Sequence, residues 1–171
     1  MRGLRHVDVR ATARQLLERA GVESPPVPVE RIAKALGVSI RFAPLEDDLS
    51  GMAFVKGAAK VVAVNALHHP NRQRFTIAHE LAHHVLHSER LASGVHVDRV
   101  IMRRDQLSSE GSNDFEVEAN VFASELLMPL QLIAPEVGAV LDLNDEVRLA
   151  TIAKRFKVSL AALQYRLAAL D

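Results

Sequence analysis

Apolar positions first recur at helical spacing. Over residues 8–20, Val9, Ala13, Leu16, Leu17 and Ala20 fall on one side of a helix that Gly21 ends. The Pro25-Pro26-Val27-Pro28 stretch breaks the chain, and a short helix over 29–36 stops at Gly37. The period then changes. Val38-Ser39-Ile40-Arg41-Phe42 alternates as a half-buried strand does, and 49–56 and 60–65 read as two more strands joined near Gly57 as a hairpin. Helical spacing returns over 71–87, 115–127, 130–138, 145–156 and 159–170, with Met128-Pro129 separating the second of these from the third. Residues 103–114 are polar and carry Gly111, and they read as an exposed loop, a lid or a plain connector. Helices, a small antiparallel sheet and then helices again predict an α+β fold, the sheet packed on the long helix over 71–87. Residues 1–140 are expected to form the main domain, with 141–171 a helical segment packed on it.

Composition narrows the chemistry. The chain has 171 residues, 49% of them hydrophobic, which is ample for a packed core. It has no cysteine, so disulfides, cysteine zinc fingers, iron–sulfur clusters and thiol nucleophiles are excluded. A metal site must be built from histidine and carboxylates. Lys+Arg and Asp+Glu balance at 21 each, which argues against phosphate neutralisation as the main task. Six Phe and one Tyr, with no Trp, are too few for a base-stacking platform. The start of the chain is polar and no apolar run approaches the ~20 residues that span a bilayer, so a cytoplasmic protein with no membrane partner is expected.

Residues 79–83 read His-Glu-Leu-Ala-His, an H-E-x-x-H motif. Residues four apart on a helix lie about 40° apart on one face, so His79 and His83 can reach one Zn²⁺ at about 2.0–2.1 Å. Glu80, between them, faces the water that the metal acidifies and takes its proton. At ~100° per residue, Phe75, Ile77, Ala78, Leu81, Ala82, Val85 and Leu86 fill one arc of the wheel. His79, Glu80, His83, His84 and His87 fill the other, with four of the chain's eight histidines.

A third ligand is required. The metzincin form of the motif would need Gly at 86 and His at 89, where this chain has Leu86 and Glu89. The gluzincin form takes a Glu from a later helix, for which Glu116 and Glu118 are the candidates. On that helix Phe115, Ala119, Phe122 and Leu126 form the core stripe. Glu118 aligns with Glu125 on a flank that reads as solvated. Glu116 aligns with Asn120 and sits beside Ala123 and Leu127 on a more enclosed one, so Glu116 is assigned, and Asn120 is placed to orient a ligand.

These residues resemble the ImmA/IrrE metallopeptidases. The likeness rests on Arg74-Phe75-Thr76-Ile77-Ala78-His79-Glu80-Leu81-Ala82-His83 and on the segment from Glu116 to Pro129, which is similar to the family's E-x-x-A-N-x-F-A…L-L-M-P string. Val61-Val62-Ala63-Val64-Asn65 also looks like the family's. The resemblance implies a zinc-dependent cytoplasmic endopeptidase that cleaves helix-turn-helix repressors or antitoxin-type regulators and so derepresses transcription. It implies His79, His83 and Glu116 as ligands and Glu80 as base.

Other features carry less. Tyr165, His87, His84, His68, His69 and His96 are conceivable donors to a developing oxyanion, and spacing selects none of them. The hairpin strands could offer an edge on which substrate adds as a strand. Val147–Leu170 resembles a helix-turn-helix, with a mild basic bias from Lys154, Arg155, Lys157 and Arg166. The alternative function is therefore a DNA-binding transcriptional regulator with a structural or vestigial zinc site. The balanced charge does not favour it.

Overall fold

A computed structural model describes residues 2–99, 110–138 and 144–170, without the side chains of 2–8, 99 and 110–113. Eight helices and four strands lie among them: α1 (Arg2–Arg19), α2 (Val29–Ala35), β1 (Val38–Ala43), β2 (Leu49–Lys56), β3 (Ala59–Asn65), α3 (Pro70–Leu86), α4 (Ser88–Ala92), β4 (His96–Arg99), α5 (Glu110–Leu127), α6 (Leu130–Val137), α7 (Glu146–Phe156) and α8 (Leu160–Ala168). No single helix among the described residues is long and apolar enough to cross a membrane.

The α+β expectation holds, but the sheet is mixed. Its order is β1-β3-β2-β4, with β1 parallel to β3 and the other pairs antiparallel. The switch from α2 to β1 puts β1 beside β3 instead of beside β2, and the β2–β3 hairpin fills the centre. Both hairpin edges are thus occupied, which corrects the expectation of a free hairpin edge. β4 is a strand that periodicity does not reveal, because it pairs only four residues. A bulge between Leu49 and Gly51 shifts its register with β2. The 103–114 loop expectation changes too. Residues 103–109 lie outside the described residues, and 110–114 belong to the first turns of α5.

α3 is the central element. It starts on Pro70 at its first turn, where the missing N–H costs nothing, and His69 caps it by accepting from Asn71 N at 3.1 Å. It packs on β2 and β3 with one side and on α5 with another, and α5 in turn packs on α1. Ile77, Ala78, Leu81 and Ala82 enter one cluster with Val62 and Val64 of the sheet and with Ala119, Phe122, Ala123 and Leu126 of α5. Burial of such side chains, each worth roughly 1.5–3 kcal/mol for the larger ones, presses the helix onto both neighbours. Asn65 braces the corner after β3. Its Nδ2 donates to Leu49 O at 2.9 Å, and its Oδ1 accepts from Leu67 N at 3.0 Å.

The C-terminal helices bury Leu149, Ile152, Phe156, Leu163 and Leu167 in the same cluster. Lys157 takes the left-handed conformation that ends α7, and Ser159 caps α8 by accepting from Ala162 N at 3.1 Å. A buried ion pair ties α8 to α5: Arg166 Nη2 donates to Glu125 Oε2 at 2.7 Å, and its Nε donates to Met128 O at 3.0 Å. Arg166→Ala leaves Glu125 buried without its close partner, and urea unfolding is expected to show a loss of about 3–5 kcal/mol. The double change Arg166→Met with Glu125→Leu should recover most of it. An unchanged unfolding midpoint in Arg166→Ala would mean that the pair does not hold α8.

Candidate metal centre

The centre forms where α3, α5 and β4 meet. His79 and His83 stand one turn apart on α3, Glu116 faces them from α5, and His96 closes the group from β4. Their ligand atoms all lie within 4.8 Å of one another. His79 Nε2 is 3.1 Å from Glu116 Oε2, His83 Nε2 is 3.4 Å from His79 Nε2, and His83 Nε2 is 3.5 Å from Glu116 Oε1. Ligands about 2.0–2.1 Å from a tetrahedral zinc would stand about 3.3 Å apart, so these separations fit such an ion. The donor chemistry agrees. Asn120 Oδ1 accepts from His79 Nδ1 at 3.1 Å, which leaves Nε2 of a neutral ring as a bare lone pair aimed at a carboxylate oxygen. Two acceptors at that distance repel unless a proton or a metal cation lies between them.

Burial favours the neutral, ligand-competent form of His83 and His96. His83 is held far below the usual imidazole range, first by desolvation and then by the neighbouring His96, His79 and His87. Desolvation also lowers His96, against the pull of Glu116. His96 Nε2 is 3.4 Å from Glu116 Oε1 and 3.9 Å from Glu80 Oε1, and its ring stacks on His83 with centroids 3.7 Å apart. Glu80 is fully buried on α3, and an oxygen of Asp98, buried on β4, lies within 4.8 Å of both Glu80 and His79.

His79, Glu80, His83 and Glu116 are thus brought together. The two flanks of α5 are covered in the opposite sense to the expectation, however. The Glu116 side chain is 36% exposed and that of Glu118 only 12%. Glu118 accepts from His87 Nε2 at 2.9 Å, and Glu125, also expected in solvent, is 1% exposed against Arg166. A helical wheel says which residues share a side and nothing of what covers that side. Here His87, the C-cap of α3, covers the Glu118 flank and α8 covers Glu125.

The remaining histidines separate clearly. His84 Nε2 donates to Val61 O at 2.9 Å, between α3 and β3. His68 accepts from Asn65 Nδ2, and His69 serves as the α3 cap. Tyr165 is exposed on α8, beside a groove of about 640 Å³ that also touches Phe75, Asn120 and Met128. Of the six conceivable donors only His96 and His87 reach the cluster. Alternation within His96-Val97-Asp98, which puts His96 and Asp98 on one face of β4, was the signal available for His96.

Gly51 lets the sheet approach. A Cβ there would lie 2.5 Å from Thr76 Cγ2, 2.8 Å from Ala63 O and 3.5 Å from Glu80 Cγ. The Ala63 carbonyl belongs to β3 and cannot rotate away as a side chain can, so Gly51→Ala must strain the β2–β3 pairing while it presses on Thr76 of α3. An overpacking loss of about 1–3 kcal/mol is expected in thermal unfolding, together with weaker divalent-metal binding by calorimetry. Wild-type behaviour in both measurements would show that the contact is slack.

A sequence model of the peptidase family Peptidase_M78, the IrrE N-terminal-like domain, matches residues 33–168. The chain is 32% identical over 136 residues to the radiation response metalloprotease IrrE of Deinococcus radiodurans, an alignment that covers 77% of this chain and 37% of that protein. The chain thus matches little more than a third of that relative's length. The fold is similar to that of a Mycobacterium tuberculosis transcriptional regulator, with a TM-score of 0.64 and 21% identity over 94% of this chain and 55% of the other.

Proposed function

Because the chain belongs to the peptidase family of the IrrE N-terminal-like domain, we propose that it is a zinc-dependent endopeptidase with His79, His83 and Glu116 as ligands and Glu80 as general base. One observation carries this reading: two imidazoles four residues apart and a carboxylate from a facing helix converge at the separations of a tetrahedral ion. Zinc, when bound, acts as a Lewis acid toward the scissile carbonyl and lowers the pKa of water toward ~7.

The chain's own residues do the rest. Glu80, next in sequence to His79 and inside the same buried pocket, takes the proton of the attacking water and passes it to the leaving amine. His96, whose Nε2 is buried without a hydrogen bond, donates to the carbonyl oxygen as charge develops there. β4 is the outer strand of the described sheet on the side of the centre, and substrate pairs along it as an added strand. The Glu80 carboxylate then faces the peptide bond from the side of the centre. From the family resemblance, the substrate is a helix-turn-helix repressor or an antitoxin-type regulator.

Purified protein is expected to hold zinc near one ion per chain by elemental analysis. Glu80→Gln should keep the metal while losing cleavage by at least 10²-fold, in line with general-base catalysis, and Glu116→Ala should lose the metal. His96→Ala should keep the metal and lower kcat. Incubation with candidate repressors followed by intact-mass spectrometry reads the cleavage. Intact repressors together with salt-sensitive, specific operator binding in a gel shift would favour the DNA-binding regulator with a structural zinc.

A further inference from the structure

Beyond the proposed ligand set, the C-cap residue of α3, His87, places another imidazole on the same side at the next i+4 step. His87 Nδ1 lies 3.0 Å from His83 Nδ1, and His87 Nε2 lies 2.9 Å from Glu118 Oε2. All three side chains are buried. Phe115 meets the His87 ring edge-on at 4.7 Å, and the Arg90 guanidinium covers Phe115 at 4.1 Å, so the ring is held from a second side.

We propose that Glu118 and His87 are positioning residues that fix the tautomer of His83 through a directed hydrogen-bond chain. A neutral imidazole carries one N–H and one lone pair. The Glu118 carboxylate only accepts, so His87 must place its N–H on Nε2. Its Nδ1 is then a lone pair and accepts from His83 Nδ1–H. The Nε2 of His83 is left as a lone pair directed at His79 and Glu116. Reversing the chain would set the His87 Nε2 lone pair against a carboxylate oxygen at 2.9 Å, which is repulsive. His79 reaches the same state by a different route, through the amide oxygen of Asn120. The two ligands therefore differ in kind: one is backed by a neutral amide, the other by an anion relayed through a second imidazole. An anionic relay raises the basicity of the ligand it feeds.

The inference rests on the proposed metal site for its purpose, but its first test needs no metal. Long-range ¹H–¹⁵N correlation spectra of the metal-free chain distinguish Nδ1–H from Nε2–H rings. His83 is expected as Nδ1–H and His87 as Nε2–H. In Glu118→Ala and His87→Phe, His83 should become a mixture of tautomers, and zinc affinity, measured by competition with a chromophoric chelator, should fall about 10–100-fold. Glu118→Gln keeps the volume and can still accept, so it should retain part of the affinity. It also serves as the reading if the alanine variant fails to fold. A wild-type His83 in the Nε2–H form would overturn the relay, as would variants with unchanged spectra and zinc affinity within twofold of wild type. If the tautomers respond as expected but the chain binds no zinc, the relay stands and the peptidase reading falls.

Discussion

The structure depends on α3 being clamped between the sheet and α5 with its polar stripe buried as well as its apolar one. A helix that turns histidines and a glutamate inward bears a desolvation cost for every lone pair it removes from water. Apolar contact with Val62 and Val64 on one side and Phe122 and Leu126 on the other holds it there. At the centre of the clamp His79 Nε2 and a carboxylate oxygen of Glu116 lie 3.1 Å apart. That arrangement is costly for a bare protein and favourable around a cation. The fold supplies the compression, and a cation between the two groups would relieve the repulsion.

The same clamp explains which small features matter. At Gly51 the sheet comes close enough to α3 that a side chain there would meet Thr76 and reach Glu80 Cγ. Asn120 and Glu118, two positions apart on α5, reach opposite sides of the histidine pair. One holds His79 directly, the other holds His83 through His87. α5 therefore provides, from three successive even positions, the carboxylate that faces the two histidines and the groups that hold each of them. The link from Arg166 to Glu125 and Met128 anchors the far end of that helix. A shift at α8 would be felt along α5, because close-packed interiors transmit strain instead of absorbing it.

Local pattern was sufficient where the chemistry is local. The His79–Glu80–His83 constellation needs only the 3.6-residue repeat, and every part of it was legible before any fold was known. Most helices and the hairpin followed from the same repeats. Glu116 was legible as well, but from its motif and not from its surroundings, since the flank taken as enclosed is the more exposed one. β4 escaped because four residues give too short an alternation to read, and His96 stayed one of six conceivable donors among which spacing did not choose.

By itself, then, the sequence determined what lies within one or two helical turns: the paired imidazoles, the glutamate between them, the absence of thiolate ligands and the α+β order of elements. Tertiary structure alone decided what depends on a neighbour distant in the chain. It brought β4 and His96 to the cluster, buried Glu118 against His87 and Glu125 against Arg166, and placed β1 parallel to β3 to make the sheet mixed. Helical periodicity repeats along one axis and carries no record of which surface will cover each side. That information exists only once separate elements have packed.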